Sequence, residues 1–291
     1  ALISTDLPEE NQAWPTAGWA WRDRFAKRLR DYTLGLLWFA QHDEALPAHF
    51  REACLRWGLA ADEYRDNGGF PRQVYVREGR RLEGCHFFTA QDALPEAEGK
   101  RPPLHRSSVT ASHYALDSHA VRKREPGRIH LDGFFSHPTA VYTVPYGVMV
   151  PRRVENLLFP TAVSGSHVGF STLRMEPCWM ALGEAAGTAA ALAADSRRNV
   201  REIPVDSLQE RLLRHGAVLV YLRDLRPGDP DYAAVQRLAL RGFFPEWEAG
   251  LDRPLDASTA RLWSSLAGRG ITADGTATRR EWIRRIAMTN F

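Results

Sequence analysis

At 291 residues the chain has room for one large domain or two ordinary ones. Hydrophobic residues make up 44% and charged residues 25%, and the formal net charge of +3 is too small for a dedicated nucleic-acid binder. No window reads as a clean membrane span, because the nearest, residues 177–194, is interrupted by Glu184 and dominated by Ala and Gly.

The basic residues are almost all arginine, with only Lys27, Lys100 and Lys123 as lysines, a bias that a GC-rich genome suffices to explain. Cys54, Cys85 and Cys178 are isolated, so they offer neither a disulfide framework nor paired metal spacing. The first residue is Ala1, and its neighbours do not read as a signal peptide, so a missing N-terminal part is expected.

In chain order, Trp14, Trp19 and Trp21 lie in an irregular segment with Pro15 and Gly18 and read as apolar anchors. Phe25, Leu29, Tyr32, Leu36 and Phe39 repeat at helical spacing over 23–39. A second helix is expected from Pro47 to Trp57, stopped by Gly58. After the turn Asn67-Gly68-Gly69, residues 73–78 alternate as a strand. Arg77, Glu78, Arg80 and Arg81 read either as an ion-pair set or as a clamp for an anionic substrate. His113, Asp117 and His119 make only a weak metal-ligand pattern, and no metal site is assigned. Further strands are expected at 128–131, 141–144 and 154–159.

The most informative stretch follows. Ser164-Gly165-Ser166-His167 reads as a polar turn, and Arg174-Met175-Glu176-Pro177 leads into a helix rich in Ala and Gly through Gly183, Glu184, Ala186 and Gly187. Small residues bury little apolar area but let a backbone come close to a flat ligand or another backbone. Pro177 suits the first helical position. The helix start presents unpaired N–H groups and a positive dipole end to the preceding loop.

Asn156 to Pro160, Ser164 to His167, Leu173 to Pro177 and Met180 to Gly187 together resemble the C-terminal flavin-contacting segment of FAD-dependent oxidoreductases, most closely the xanthan-lyase-like group. The likeness runs over 8–195 and takes in Trp57-Gly58-Leu59, Tyr75 to Arg81, His113 to His119 and Val144-Pro145-Tyr146. The resemblance implies an α/β fold, an α+β substrate domain carrying the C-terminal flavin-contacting segment over 1–203, and the helical patterns of the tail add a small all-α module over 204–291. It implies FAD as cofactor, hydride transfer between an organic substrate and the flavin, and a small-molecule or sugar-like substrate.

On the same basis Ser164, Gly165, Ser166 and His167 lie beside the ribityl chain and ring, while Glu176 and Pro177 point the helix start at the pyrimidine side. Gly183, Glu184, Ala186 and Gly187 belong to the cofactor-contacting helix, and Gly183, Ala186, Gly187 and Ala190 share a face suited to packing on a nucleotide-binding sheet. Where the family commonly has Gln, this chain has Glu184. His167 is the acid/base candidate, and Arg174 the candidate for holding an anionic substrate or the flavin edge.

The family's strand–Gly-x-Gly-x-x-Gly–helix unit, which cradles the pyrophosphate, has no counterpart here. The near-match at 268–273 follows a helix rather than a strand. The sequence therefore reads as the C-terminal part of a longer enzyme, with FAD affinity reduced without the ADP-binding half.

In the tail, Asp206 or Ser207 is expected to cap a helix with Leu208, Leu212 and Leu213, followed by helices from Asp231 and from Asp256. A last helix opens with a capping box, Thr278 with Glu281. The stretch from Asp231 to Phe244 faintly resembles an S-layer-homology repeat, which implies possible glycan contact. The alternatives to a flavoenzyme are a non-enzymatic remnant, a glycan-binding module, or a polysaccharide lyase.

Overall fold

In the computed structural model the described residues are 5–123, 125–127, 132–268, 270–273 and 276–288. The strand expected at 128–131 lies outside them, as does part of the near-match at 268–273. The chain divides into two units, residues 1–80 with 119–134 and residues 81–118 with 135–291.

In the first unit, α1 (Trp19–His42) and α2 (Ala48–Cys54) are joined by a short turn, and a 3₁₀ turn follows at Arg65–Asn67. Trp21 and Phe25, one helical turn apart, stack with centroids 5.0 Å apart, and Trp14 closes on Phe25 at 6.0 Å. Trp14 and Trp21 are thus the anchors the sequence suggests, whereas Trp19 stays exposed. The second helix is shorter than its pattern implies, ending at Cys54.

The strand expected at 73–78 does not form: these residues are irregular, and Tyr75 and Val76 are exposed. Alternation predicts a face, but a strand also needs a partner for its backbone groups, and none is supplied among the described residues. Arg77 instead pairs with Asp6, whose other oxygen takes a hydrogen bond from His119 Nδ1 at 2.8 Å. Lys123 and Arg28 both reach Glu10.

The second unit is built on two antiparallel pairs. β1 (Ser108–Ser112) pairs with β4 (Tyr142–Pro145) in the register Thr110↔Val144, Ala111↔Thr143 and Ser112↔Tyr142, and β2 (Leu116–Ser118) pairs with β3 (Phe135–His137). All four residues of β4 are buried, and it runs on into a 3₁₀ turn at Tyr146–Met149. α3 (Ala90–Ala93) is opened by a capping box between Thr89 and Asp92. α4 (His167–Leu173) and α5 (Glu176–Ser196) follow, and α5 buries Cys178, Leu182, Ala185, Ala186, Ala189 and Ala193 along one face. Burial pushes the Cys178 thiol up to about 11. This sulfur is therefore an inert core group rather than a nucleophile.

The expected strand at 154–159 also fails. Asn156 takes φ +51°, which breaks the extension, and Val154, Leu157 and Phe159 are exposed. The loop at Ser164–Ser166 is instead tied to the 3₁₀ turn that follows β4, with the Ser164 N–H donating to the Val148 carbonyl at 2.8 Å.

The tail helices are α6 (Val205–Arg214), α7 (Tyr232–Ala239), α8 (Ala257–Ala267) and α9 (Arg279–Ala287). α6 starts after Pro204 with no side-chain cap, so neither Asp206 nor Ser207 plays that part. The Asp256 cap on α8 and the Thr278–Glu281 capping box on α9 form as read. These helices are fastened to β1: the Ala111 N–H donates to the Val218 carbonyl at 2.7 Å, and Gln209 Nε2 donates to the Arg106 and Ser108 carbonyls. Gln236 accepts from the Leu219 and Val220 N–H groups and donates back to Val220, so a buried amide satisfies a buried connecting segment. One continuous apolar core runs from Phe88 to Ile286. The fold is an α/β domain followed by helical segments. No helix among the described residues is long and apolar enough to cross a membrane.

Candidate functional site

The loop Ser164–Ser166 lies alongside Phe88. The Phe88 N–H donates to the Ser164 carbonyl at 3.2 Å, and the Ser166 N–H donates to the Phe88 carbonyl at 2.9 Å. This pairing requires small residues: a Cβ on Gly165 would sit 3.0 Å from the Phe88 carbonyl oxygen, and one on Gly169 only 2.4 Å from it. Gly84 is similarly constrained, since a Cβ there would lie 2.7 Å from Ser164 Cβ. Ser164 is fully buried, and its Oγ has no hydrogen-bond partner among the described residues.

Ser166 is the N-cap of α4, its side chain accepting the Gly169 N–H at 2.9 Å. Residues 167–173, between the turn and the Ala- and Gly-rich helix, are therefore themselves helical. His167, the first residue of α4, is exposed, and its Nε2 lies 2.9 Å from the Oγ of buried Ser118. Phe135 meets the imidazole edge-on at 6.2 Å. β2 and β3 together thus fix the orientation of this ring.

Arg174 closes α4. Its side chain is 4% exposed, and it donates to Asp117 Oδ2 at 2.7 Å and to the Asp117 carbonyl at 3.2 Å. Tyr114 lies under the guanidinium at 5.8 Å and donates its hydroxyl to the same carboxylate at 3.3 Å. The Asp117 N–H donates to Ser171 Oγ, so β2 is tied to α4 by backbone as well as by charge. A guanidinium held this deeply does not reach an exposed substrate, and its chemistry is to lock α4 onto β2.

α5 begins at Glu176, with Pro177 second rather than first, and Met175 at the N-cap supplies no side-chain cap. The Cys178 and Trp179 N–H groups turn back to the Met175 carbonyl, and Glu176 in the first turn complements the helix dipole. Ala186 is buried in the core, whereas Glu184 and Gly187 are exposed. Among the described residues nothing lies within 4 Å of a Cβ built on Gly183 or Gly187, so these glycines face open space.

The structure thus brings Ser164, Gly165, Ser166 and His167 together on one loop and helix start. It places Arg174 behind them, while Gly183, Glu184, Ala186 and Gly187 extend along α5. Sequence reading singled out Asp117 only as a weak metal ligand and missed that Asp117 and Ser118 partner Arg174 and His167, because those contacts span 57 and 49 residues.

The weak metal pattern disperses: His113 Nε2 meets the Thr139 carbonyl, Asp117 holds Arg174, and His119 holds Asp6. A different set gathers instead, His86, Asp92 and His105. Its one legible signal was the Thr89-x-x-Asp92 capping pattern. Burial pushes the Asp92 carboxyl up, but the close His105 imidazole and the hydrogen bonds from His86 and Thr89 outweigh it and hold the group well below the usual carboxylate range.

A family model described as FAD dependent oxidoreductase matches residues 5–212. No curated protein and no solved structure matches the chain.

Proposed function

The chain belongs to the FAD dependent oxidoreductase family, whose cofactor is FAD, and on that premise we propose that Ser164–His167 and the start of α5 are the flavin-facing part of its site. Bound FAD supplies the redox chemistry, exchanging a hydride with a small organic or sugar-like substrate.

The observation that carries the reading is the loop itself: a tight, glycine-dependent turn ending in an exposed, oriented histidine, followed by a helix start with no side-chain cap. Two further features fit a flavin. Ser164 Oγ is buried without a partner, a polar atom that a bound ligand can satisfy. Gly183 and Gly187 leave room for close approach along α5.

In this reading Ser164, Gly165, Ser166 and the α5 start, Glu176 and Pro177, hold the cofactor, with the helix dipole favouring negative charge near its N-terminus. Gly183, Glu184 and Gly187 continue that contact, while Ala186, expected among them, packs into the core behind them. His167 holds or moves a proton for the substrate, and Ser118 sets its ring orientation. Arg174 is a positioning residue that keeps α4 on β2 through Asp117. The Gly-rich cradle for the pyrophosphate is supplied by residues outside this sequence, within the xanthan-lyase-like branch of the family.

The test is a titration of FAD with the chain, followed by flavin fluorescence and visible absorption. A weak but saturable change, with the flavin stripped on desalting, is the expected result. No saturable change overturns the reading in favour of a non-enzymatic module.

A further inference from the structure

We propose that His86, Asp92 and His105 form a binding site for a divalent transition cation of the zinc class, with one coordination position left open to solvent. This proposal is independent of the flavin reading.

The argument begins with convergence. Asp92 Oδ1 lies 3.2 Å from His86 Nε2 and 3.1 Å from His105 Nε2, and the three candidate ligand atoms all fall within 4.8 Å of one another. With metal–ligand bonds of about 2.0–2.1 Å, adjacent ligands of a tetrahedral zinc site stand roughly 3.3 Å apart. The two spacings to Asp92 are already close to that edge.

The donor chemistry is also apt. Two imidazoles and one carboxylate suit zinc and its first-row neighbours, whereas calcium and magnesium prefer all-oxygen sets. Coordination through Nε2 at both rings requires the Nδ1–H tautomer in each. His105 Nε2 is a buried atom without a hydrogen-bond partner of acceptable geometry, even though the carboxylate is near. A His–Asp–His chain holds His86 by a hydrogen bond but His105 only by a 3.1 Å ion-pair contact outside hydrogen-bond geometry, whereas a cation shared by all three satisfies both rings.

The ligands are held from behind. Asp92 Oδ2 accepts the Thr89 N–H at 2.6 Å and the Thr89 hydroxyl at 3.0 Å, which turns Oδ1 toward the histidines. The backbone N–H of His86 donates to the Gly147 carbonyl at 3.1 Å, and the backbone N–H of His105 donates to Thr143 Oγ1 at 3.0 Å, so both histidines are fixed through their main chain. Gly147 must be small, since a Cβ there would lie 3.0 Å from His86 Cβ. The Thr89 bonds to Asp92 are outer contacts of the kind that orient ligating carboxylates. The His105 and Asp92 side chains are 16% and 14% exposed and that of His86 32%, so the cluster is sheltered on one side and reachable on the other. Three protein ligands with an accessible side is the arrangement that leaves a position for water or a small ligand.

The experiment uses the full chain, dialysed against a chelator and titrated with Co²⁺ while visible ligand-field absorption is recorded, then with Zn²⁺ as competitor. One equivalent of Co²⁺ per chain is expected, displaced by Zn²⁺. In His86→Asn and His105→Gln the affinity falls at least ~100-fold, more than the loss of an outer contact causes. Circular dichroism of the metal-free variants checks that they fold. A second readout needs no variant: Zn²⁺ should protect His86 of the wild-type chain from diethyl pyrocarbonate, mapped by mass spectrometry. Cobalt binding no tighter than in the double variant, or modification of His86 unchanged by Zn²⁺, overturns the proposal.

Discussion

Asp117→Ala is expected to lower the unfolding free energy by about 3–5 kcal/mol, because it strands a buried guanidinium. Arg174 is 4% exposed, and the Asp117 carboxylate is its only ion-pair partner among the described contacts, at 2.7 Å. Its Nε already lacks a partner, so the group has no reserve of acceptors to fall back on. The backbone carbonyl of residue 117, which also accepts from Arg174, survives the substitution but carries no full charge. The pair itself need not be strongly stabilising, since replacing both members with apolar residues is often neutral. Asp117→Ala with Arg174→Met should therefore recover a large part of the loss. Equilibrium urea unfolding of the single and double variants measures both quantities. A single-variant loss within about 0.5 kcal/mol, the range of an ordinary surface change, would contradict the buried-pair account.

Trp263→Ala should be comparably damaging, at about 3–5 kcal/mol for the lost side chain. Trp263 is fully buried, and its ring meets Phe243 and Phe244 at 5.9 and 5.7 Å. Its Nε1–H donates to the Phe243 carbonyl at 2.7 Å, and losing that donor adds roughly 1–3 kcal/mol if the carbonyl stays buried. Trp263→Phe keeps most of the packing and isolates the hydrogen bond.

The way this loss is distributed matters as much as its size. Residues 204–291 share one core with β1 and β4. The destabilisation should therefore be felt throughout the unit made of 81–118 and 135–291, in one transition. A separate early transition of the tail alone would show that it folds as an independent module, with the boundary near residue 203 that the sequence suggests.

What was legible in the sequence was local. The Thr278–Glu281 capping box and the Asp256 cap are short-range hydrogen-bond patterns, and both form. The Ala- and Gly-rich pattern after Pro177 gives α5 within a residue of its start. The resemblance carried the family, because the order and spacing of several weak segments are preserved even where each alone says little.

What was not legible depends on partners distant in the chain. Residues 73–78 and 154–159 have the apolar content of strands, yet nothing in their own sequence says whether another strand is available. For 154–159 the left-handed Asn156 decides against it. The ion pair of Arg174 and the orientation of His167 come from two adjacent residues of β2, and no motif links those positions. Arg174 illustrates the consequence: an arginine beside a polar turn reads as an anion holder, and its burial against Asp117 shows a link between α4 and β2. The glycines at 84, 165 and 169 likewise acquire their meaning from Ser164 and Phe88, the groups that a side chain would strike.

The central claim, that the Ser164–His167 loop and the start of α5 face the flavin, is tested most directly by hydrogen exchange with and without saturating FAD. The account predicts slowed exchange over residues 164–180 with residues 204–291 unchanged. Unchanged exchange over 164–180, or protection confined to other segments, would contradict it.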